Sequence, residues 1–162
     1  MVKTVKLWIV HNSEFGNGKK VAETLGATIG KKMEVKIEHL DKVTPEEVVK
    51  DAPEMIIVGA KVRTFMLSSN ALSWIKELKK QLKKQKKEIK YGAVFLTHAL
   101  GKNMVNTLWG KRYLRKFKRN SGVEKVFPEW LSGRVVGPEG PLEEGVLEAI
   151  TAKGNEILEW MK

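Results

Sequence analysis

The chain has 162 residues, 42% of them hydrophobic and 30% charged, and it contains no cysteine. A chain of this size and composition can bury a core of its own, so we expect residues 1–162 to form one globular domain. The lack of cysteine excludes disulfides, thiolate metal sites and a cysteine nucleophile. The sequence shows neither a signal-peptide core nor an apolar run long enough to span a bilayer, so we expect a cytoplasmic protein.

Charge is unevenly distributed along the chain. Thirty basic and nineteen acidic residues give a net charge of +11, yet residues 76–119 alone hold fifteen Lys or Arg and two Glu, a net +13. The rest of the chain therefore sums to −2, and residues 129–162 carry a net −4. We expect the folded molecule to be a strong dipole whose positive side attracts acidic partners.

Short apolar runs alternate along the chain with longer stretches in which apolar residues recur every three or four positions. The short runs indicate strands and the longer stretches indicate helices. Thr44 and Pro45 are typical of a helix start, with the threonine as N-cap, and Pro141 is typical of a first helical turn. Pro128 and Gly133 indicate a break in the last strand. In chain order, the predicted elements are strand 5–11, helix 18–32, strand 33–40, a helix starting at 45, strand 55–60, helix 69–87, strand 91–99, helix 104–119, a broken strand 123–136 and helix 141–161.

This alternation predicts an α/β fold, a three-layer αβα sandwich in which helices cover both faces of a five-stranded parallel sheet. Right-handed crossovers favour the strand order 2-1-3-4-5. In that order the helices that follow strands three and four, at 69–87 and 104–119, lie on the same face. Because these helices carry the basic block, we expect positive charge on one side of the sheet and the acidic last helix on the other.

The loop after strand one lies at the switch point of this strand order, where open α/β sheets bind ligands. Residues 11–18 are mostly small or polar and lead directly into a helix. Successive backbone amides in such a loop, together with the helix N-terminus, can bind a phosphate. A plain polar turn that caps the helix is the alternative interpretation.

Other nucleotide-binding motifs are excluded at this loop. A Walker-type P-loop would need a glycine where Ser13 stands and a serine or threonine in place of Lys20. The dinucleotide-binding fingerprint would need a glycine at Val21. A receiver domain would need an aspartate at the end of strand three, where residues 58–61 contain no acidic side chain.

The same loop resembles the phosphate loop of flavodoxins and related FMN proteins, whose pattern is close to S/T-x-x-G-N-T followed by a helix. Residues 56–63 and 93–99 resemble the two strand-and-loop segments that pass either side of the flavin, and 137–142 resembles the segment leading into the last helix of that family. The resemblance extends over essentially the whole chain, and 59–63 is also similar to the flavodoxin-like protoporphyrinogen oxidases. The residues that carry the phosphate-loop motif are Ser13, Glu14, Phe15, Gly16, Asn17 and Gly18.

The resemblance implies a flavodoxin-like fold and FMN as cofactor, with the phosphate on the loop at 13–18 and the ring between two further loops. The chain departs from the family at Gly18, where a threonine is usual, and in the two lysines that follow it. The ring loops lack the tryptophan and tyrosine that often sandwich the flavin, so Phe65 and His98 are the available ring partners. The ring-binding residues implied are Val62, Arg63, Thr64, Phe65, Thr97, His98, Ala99, Leu100 and Gly101.

Three functions are compatible with these features. The first is an electron carrier, an FMN-binding redox protein whose basic helices bind acidic redox proteins such as ferredoxins. The second is an FMN-dependent oxidoreductase of quinones or protoporphyrinogen, which the resemblance also implies. The third is a flavin-free binding module with a basic face. The basic helices carry no nucleic-acid recognition motif and no run of aromatics for base stacking, which argues against nucleic acid as the partner.

Histidines end two of the predicted strands at the ligand-binding edge. His11 and His98 are separated by strand three, which puts them about 10 Å apart, too far to share a metal ion. We therefore expect no metal site. The tryptophans at 8, 74 and 109 lie beside apolar neighbours and are expected to pack structurally.

Overall fold

Strands and helices alternate in a computed structural model that describes residues 5–63, 66–99, 109–137 and 139–162. The strands are β1 Lys6–His11, β2 Glu34–His39, β3 Met55–Arg63, β4 Met66–Leu67, β5 Tyr91–His98, β6 Lys125–Val126 and β7 Leu131–Arg134. The helices are α1 Asn17–Ile29, α2 Pro45–Lys50, α3 Ser69–Gln85, α4 Gly110–Asn120 and α5 Val146–Trp160, and a 3-10 turn, Gly30–Lys32, follows α1. Within these ranges every helix is too short or too polar to cross a membrane.

The main sheet is parallel and its strands follow the order β2-β1-β3-β5-β6. The fifth position is shared by two short strands: β6 pairs with Tyr91 and Gly92 at the start of β5, and β7 pairs with the second half of β5. Pro128 lies in the gap between them and has no amide proton to donate to a ladder. The predicted order 2-1-3-4-5 and the predicted break in the last strand are both confirmed.

The third strand is longer than the sequence predicted. It was expected to end at residue 60, but β3 continues to Arg63 and pairs with the antiparallel strand β4, with Val62 opposite Leu67. Val62 packs against the core, so alternation of polar and apolar residues continues beyond the fully buried part of the strand. Val62 and Arg63 therefore lie in a hairpin rather than in a loop, which corrects the prediction.

Helices cover both faces of the sheet. On one face, α2, α3 and α4 pack against Val10, Ile56 and Val94; on the other, α1 and α5 pack against Ile9 and Ile57. The two basic helices, α3 and α4, thus share a face opposite the acidic α5, as predicted. The helical side chains that form these contacts include Val48, Ile75, Leu78, Tyr113 and Phe117 on the first face and Val21, Leu25, Ile150 and Ile157 on the second.

One helix start was predicted correctly and one was wrong. Thr44 caps α2, because its hydroxyl accepts the Glu47 amide at 3.1 Å, and Pro45 is the first helical residue. In contrast, α5 begins at Val146, five residues after the expected start at Pro141. The carbonyl of Pro141 instead accepts the Val136 amide at 2.9 Å, so this segment forms a turn that packs beside α1 before the helix begins.

A cluster at the amino-terminal edge of the sheet ties the first two strands to the end of α2. The Asp51 carboxylate accepts hydrogen bonds from Lys6 Nζ at 2.8 Å, Trp8 Nε1 at 2.7 Å and Lys36 Nζ at 3.1 Å. Burial raises the pKa of Asp51, but these three hydrogen bonds outweigh it and bring the pKa from 3.8 to about 2. The ionised carboxylate therefore stabilises the folded state.

Replacing Asp51 by Asn should lower the free energy of unfolding by about 2 kcal/mol at pH 7, because three donors lose their anionic acceptor. Since the folded pKa lies below the unfolded one, this contribution is complete above about pH 4 and is lost as the pH falls through 2. Urea unfolding at pH 7, 4 and 2.5 should show the gap between wild type and variant closing. Glu23→Gln, at an exposed position of α1, is the control, and equal stabilities of wild type and D51N at pH 7 would contradict the argument.

Candidate functional site

The candidate site lies at the carboxyl ends of the parallel strands, where β1, β3 and β5 meet. The loop between β1 and α1, residues 12–16, is buried at its start and exposed at its middle, where Phe15 leaves 49% of its surface accessible. It runs directly into α1. In a sheet of this order, ligands bind in the crevice at this switch point.

The first turn of α1 presents free backbone amides. Gly16, the N-cap, has φ +90°, and the helix has no side-chain cap. Lys20 donates the first bond back to the Gly16 carbonyl, at 3.0 Å, so the amides of residues 17–19 have no carbonyl one turn before them. A Cβ on Gly16 would meet no atom within 4 Å, which shows open space beside these amides. Together with the helix dipole they make this position suitable for an anion.

Two buried polar side-chain atoms at the start of the loop have no hydrogen-bond partner among the described residues. They are Nδ2 of Asn12, a residue only 4% exposed, and Oγ of Ser13. A buried donor without a partner costs about 1–3 kcal/mol, so such groups call for an explanation. Both can donate a hydrogen bond, and Ser13 lies against Gly18 in the first turn of α1. The donor set therefore fits a ligand rich in acceptor oxygens.

Gly18 is explained by the fold of the loop. A Cβ at this position would lie 3.2 Å from Cβ of Ser13 and 3.7 Å from its Oγ. Ser13 thus fills the space that a side chain at residue 18 would need. The loop forgoes a hydroxyl at position 18 and places one at position 13 close by.

Contacts with two distant segments hold the loop in place. Lys61 Nζ bonds the Glu14 carboxylate at 2.8 Å, which ties the loop to the end of β3 and offsets a negative charge beside the amides. Asn17 Nδ2 donates to the carbonyl of Glu139 at 3.2 Å. A Cβ on Gly140, whose φ is +95°, would come within 2.5 Å of that amide nitrogen, so only glycine lets the segment approach this closely. The side chain of Asn17 is therefore a structural tether, and its backbone amide is what faces the site.

The end of β5 brings three of the predicted ring-binding residues to the same edge. Thr97 is buried between Lys61 of β3 and Gly133 of β7, and Ala99 is exposed just beyond the strand. The His98 ring is 3% exposed; its Nε2 bonds Ser132 Oγ at 2.6 Å.

Trp130 packs against His98 edge to face, with 6.0 Å between the ring centroids. His98 is thus held inside the protein by two neighbours on the outer strand segment. Of the other residues predicted to contact the ring, Val62 and Arg63 lie in the β3 hairpin, while Thr64, Phe65, Leu100 and Gly101 lie outside the described residues.

Sequence reasoning missed three residues that shape this site. Asn12 was visible as a polar residue at a strand end, but its burial was not. Lys61 could not be linked to Glu14 because 47 residues separate them. Trp130 sits in the break between β6 and β7, and no local pattern places it against His98.

His11 fixes the geometry at the start of the loop. Its Nδ1 accepts a hydrogen bond from the backbone amide of Ser13 at 3.1 Å. Its ring contacts the His39 ring edge-on, with centroids 5.4 Å apart. Burial, with smaller contributions from His39 and Lys19, lowers the pKa of His11 from 6.5 to about 4, although Glu38 opposes the shift. The imidazole is therefore neutral at pH 7, as an acceptor at Nδ1 requires.

Because folded His11 resists protonation, acidification should destabilise the fold between pH 6.5 and 4, where only the unfolded chain takes up the proton. Over this range wild type should lose on the order of 2–3 kcal/mol more stability than His11→Asn, which lacks the group. Urea unfolding at half-unit pH steps measures the difference in slope. An NMR titration that shows the His11 imidazole protonating near pH 6.5 in the folded protein would contradict it.

Comparison with known proteins gives no match to a family model and no match to a curated protein. Solved structures, however, match over almost the whole chain. A flavodoxin from the domain Archaea aligns with a TM-score of 0.69 and 21% identity, covering 96% of this chain and 98% of that one. A flavodoxin, WrbA-like protein from Agrobacterium tumefaciens aligns with a TM-score of 0.68 and 16% identity over 97% of each chain.

Rubredoxin oxygen:oxidoreductase from Desulfovibrio gigas is also similar, with a TM-score of 0.66 and 15% identity. The alignment covers 96% of this chain but only 35% of that larger protein. At such identities the similarity establishes the fold. The predicted architecture is confirmed, and the chain has the flavodoxin-like fold.

Proposed function

We propose that this protein binds FMN and works as an electron carrier. The observation that carries the proposal is the start of α1, where open backbone amides lie beside Ser13. The buried Ser13 hydroxyl and the buried Asn12 side-chain amide have no hydrogen-bond partner among the described residues. A phosphate monoester offers up to three oxygens to these donors, and its double negative charge suits the helix N-terminus. Phosphate binding thereby becomes the stronger of the two interpretations left open by the sequence.

Different residues of this chain would hold the phosphate and the ring of the cofactor. The amides of residues 17–19 and the side chains of Asn12 and Ser13 would bind the phosphate. The β3 hairpin and the end of β5 would flank the ring, with Thr97 near its polar edge. FMN supplies one- and two-electron chemistry when bound, so the protein needs no acid–base side chain of its own.

The charges around the loop favour a dianion. Glu14 is the acidic side chain of the loop, and its carboxylate is bonded to Lys61. Lys19 and Lys20 are exposed in the first turn of α1. These cations add electrostatic attraction for a dianion bound at the loop.

The alignment with the archaeal flavodoxin supports a carrier. The chain aligns with 98% of the archaeal flavodoxin, but with about a third of rubredoxin oxygen:oxidoreductase. The 162 residues thus match a whole flavodoxin but only one part of the larger oxidoreductase. The basic face formed by α3 and α4 would bind acidic redox proteins, which the dipole of the molecule attracts.

The visible spectrum of the purified protein, before and after addition of FMN, tests the proposal. Wild type should bind FMN, and Gly16→Asp should weaken binding at least about 100-fold, because a carboxylate would stand among the amides that hold the phosphate. Gly145→Asp is the matched control: Gly145 is also an N-cap with φ +87° and nothing within 4 Å of a Cβ. Its effect on FMN affinity should stay below about threefold, since a charge farther from the phosphate is screened by salt.

Riboflavin, which lacks the phosphate, separates the phosphate site from the ring site. It should bind wild type and Gly16→Asp with the same weak affinity. A protein that retains no flavin after incubation with excess FMN and removal of the unbound cofactor would refute the proposal. It would favour the flavin-free binding module. Steady-state oxidation of NAD(P)H by a quinone would identify an oxidoreductase rather than a carrier.

Gly18→Thr restores the threonine usual in flavodoxins, and we expect it to weaken FMN binding. The new Cβ would press on Ser13 Cβ at 3.2 Å and displace a hydroxyl that faces the site. The dissociation constant for FMN should rise about three- to tenfold, equivalent to about 1 kcal/mol. Fluorescence titration measures it, and tighter binding by Gly18→Thr would show that Ser13 does not replace the missing hydroxyl.

A further inference from the structure

Helix α4 carries a dense and unpaired positive charge. Its eleven residues, Gly110–Asn120, include six Lys or Arg and no acidic residue. Five of the six are exposed, and within the described part of the chain none lies within 4.0 Å of a carboxylate. The six are Lys111, Arg112, Arg115, Lys116, Lys118 and Arg119.

The opposite side of α4 is fully used by the fold. Tyr113 and Phe117 are completely buried, and the Tyr113 hydroxyl donates to the Val58 carbonyl at 3.1 Å. The helix is therefore held rigidly, and its charged side is not needed for packing. A rigidly held helix that carries lysines and arginines but no acidic residue presents a surface suited to a negatively charged partner.

The first turn of α4 lies next to the site edge. A Cβ on Gly110 would fall 1.9 Å from the Trp130 ring, so this helix start rests directly on that ring. Trp130 in turn contacts His98, the last residue of β5. Lys111 and Arg112 thus directly follow Gly110, which is linked to the end of β5 through the side chain of Trp130.

The cations of α3 lie farther away. Ser69 begins α3 near the same edge, but the first basic residue, Lys76, comes seven residues later, about 10 Å along the axis. Lys80, Lys83 and Lys84 lie at about 16–22 Å. Lys79 Nζ reaches the carbonyl of Arg119 at 3.4 Å, which places the middle of α3 beside the end of α4 rather than its start.

We propose that an acidic redox protein docks on the first two turns of α4, through Lys111, Arg112 and Arg115, and that the cations of α3 contribute only long-range attraction. The proposal rests on the proposed function, because it places the partner beside the ring-binding edge. In the productive complex one electron leaves the reduced cluster of a ferredoxin-type donor and enters the bound FMN. That transfer requires the partner to dock close to the ring-binding edge. A partner bound at the cations of α3, which begin at Lys76, would lie nearer the opposite edge of the sheet.

Two triple variants that remove equal charge test this placement in the full-length, FMN-loaded protein. The first carries Lys111→Gln, Arg112→Gln and Arg115→Gln. The second, the matched control, carries Lys80→Gln, Lys83→Gln and Lys84→Gln; all six positions are exposed, and none belongs to the hydrophobic core. The probe is an acidic [2Fe–2S] ferredoxin, and stopped-flow absorbance gives the second-order rate of FMN reduction at low ionic strength.

The α4 triple should reduce this rate at least about tenfold, and the α3 triple less than about threefold, because steering is strongest for charges beside the encounter site. Both differences should vanish in high salt, and FMN affinity should be unchanged in both variants. Equal effects of the two triples would overturn the proposal, since the partner would then respond only to net charge.

An NMR titration of the oxidised ferredoxin into the protein as purified tests ferredoxin docking separately from FMN binding. If wild type binds no FMN, the proposed function fails, but a ferredoxin affinity lowered by the α4 triple alone still supports the docking site. A 24-base-pair DNA duplex is the third probe. Steeply salt-dependent duplex binding that both triples weaken, without ferredoxin binding, would assign this face to nucleic acid and overturn the proposal.

Discussion

The function proposed for this protein depends on backbone amides at the start of α1 that have no partner among the described residues. Every helix begins with such amides, and most are satisfied by a side-chain cap or by water. At α1 the N-cap is Gly16, which has no side chain to offer, and open space lies beside it. Asn12 and Ser13, in the loop that leads into this helix, add two buried donors. A fold that keeps several donors unpaired at one point loses stability there, and an anion with several oxygens recovers it.

The loop is organised before any ligand arrives. Its start is set by the His11 imidazole, its middle by the ion pair between Glu14 and Lys61, and its end by the hydrogen bond from Asn17 to Glu139. These contacts reach β1, β3 and the segment before α5, so the loop is braced by parts of the chain far apart in sequence. Bracing of this kind reduces the entropy lost on binding and turns a set of amides into a site.

The sequence predicted what local physics determines. Strands buried on both faces are apolar throughout, as from Met55 to Ala60, and a threonine before a proline and two glutamates caps a helix wherever it occurs. The start of α5 was wrong because Pro141 takes part in a turn with Val136, a contact that no helical pattern reveals. The extension of β3 was missed because its partner, β4, is two residues long.

The loop between β1 and α1 was predictable as a motif, since small residues before a helix are a local feature. The burial of Asn12 and the pairing of Lys61 with Glu14 were not, because both depend on packing between segments. The flanks of the ring site follow the same rule. His98 was correctly placed at a strand end, but its neighbours Ser132 and Trp130 come from the broken fifth strand.

The sidedness of the charge follows from topology rather than from composition alone. A basic block in the sequence becomes a basic face only because right-handed crossovers put α3 and α4 on the same side of the sheet. Like charges so close together repel and oppose folding, yet the buried sides of both helices are fully packed and outweigh that repulsion. Packing therefore fixes where each cation stands without using its charge. That leaves the charge on the first turns of α4, beside the end of β5, available for the recognition of a partner.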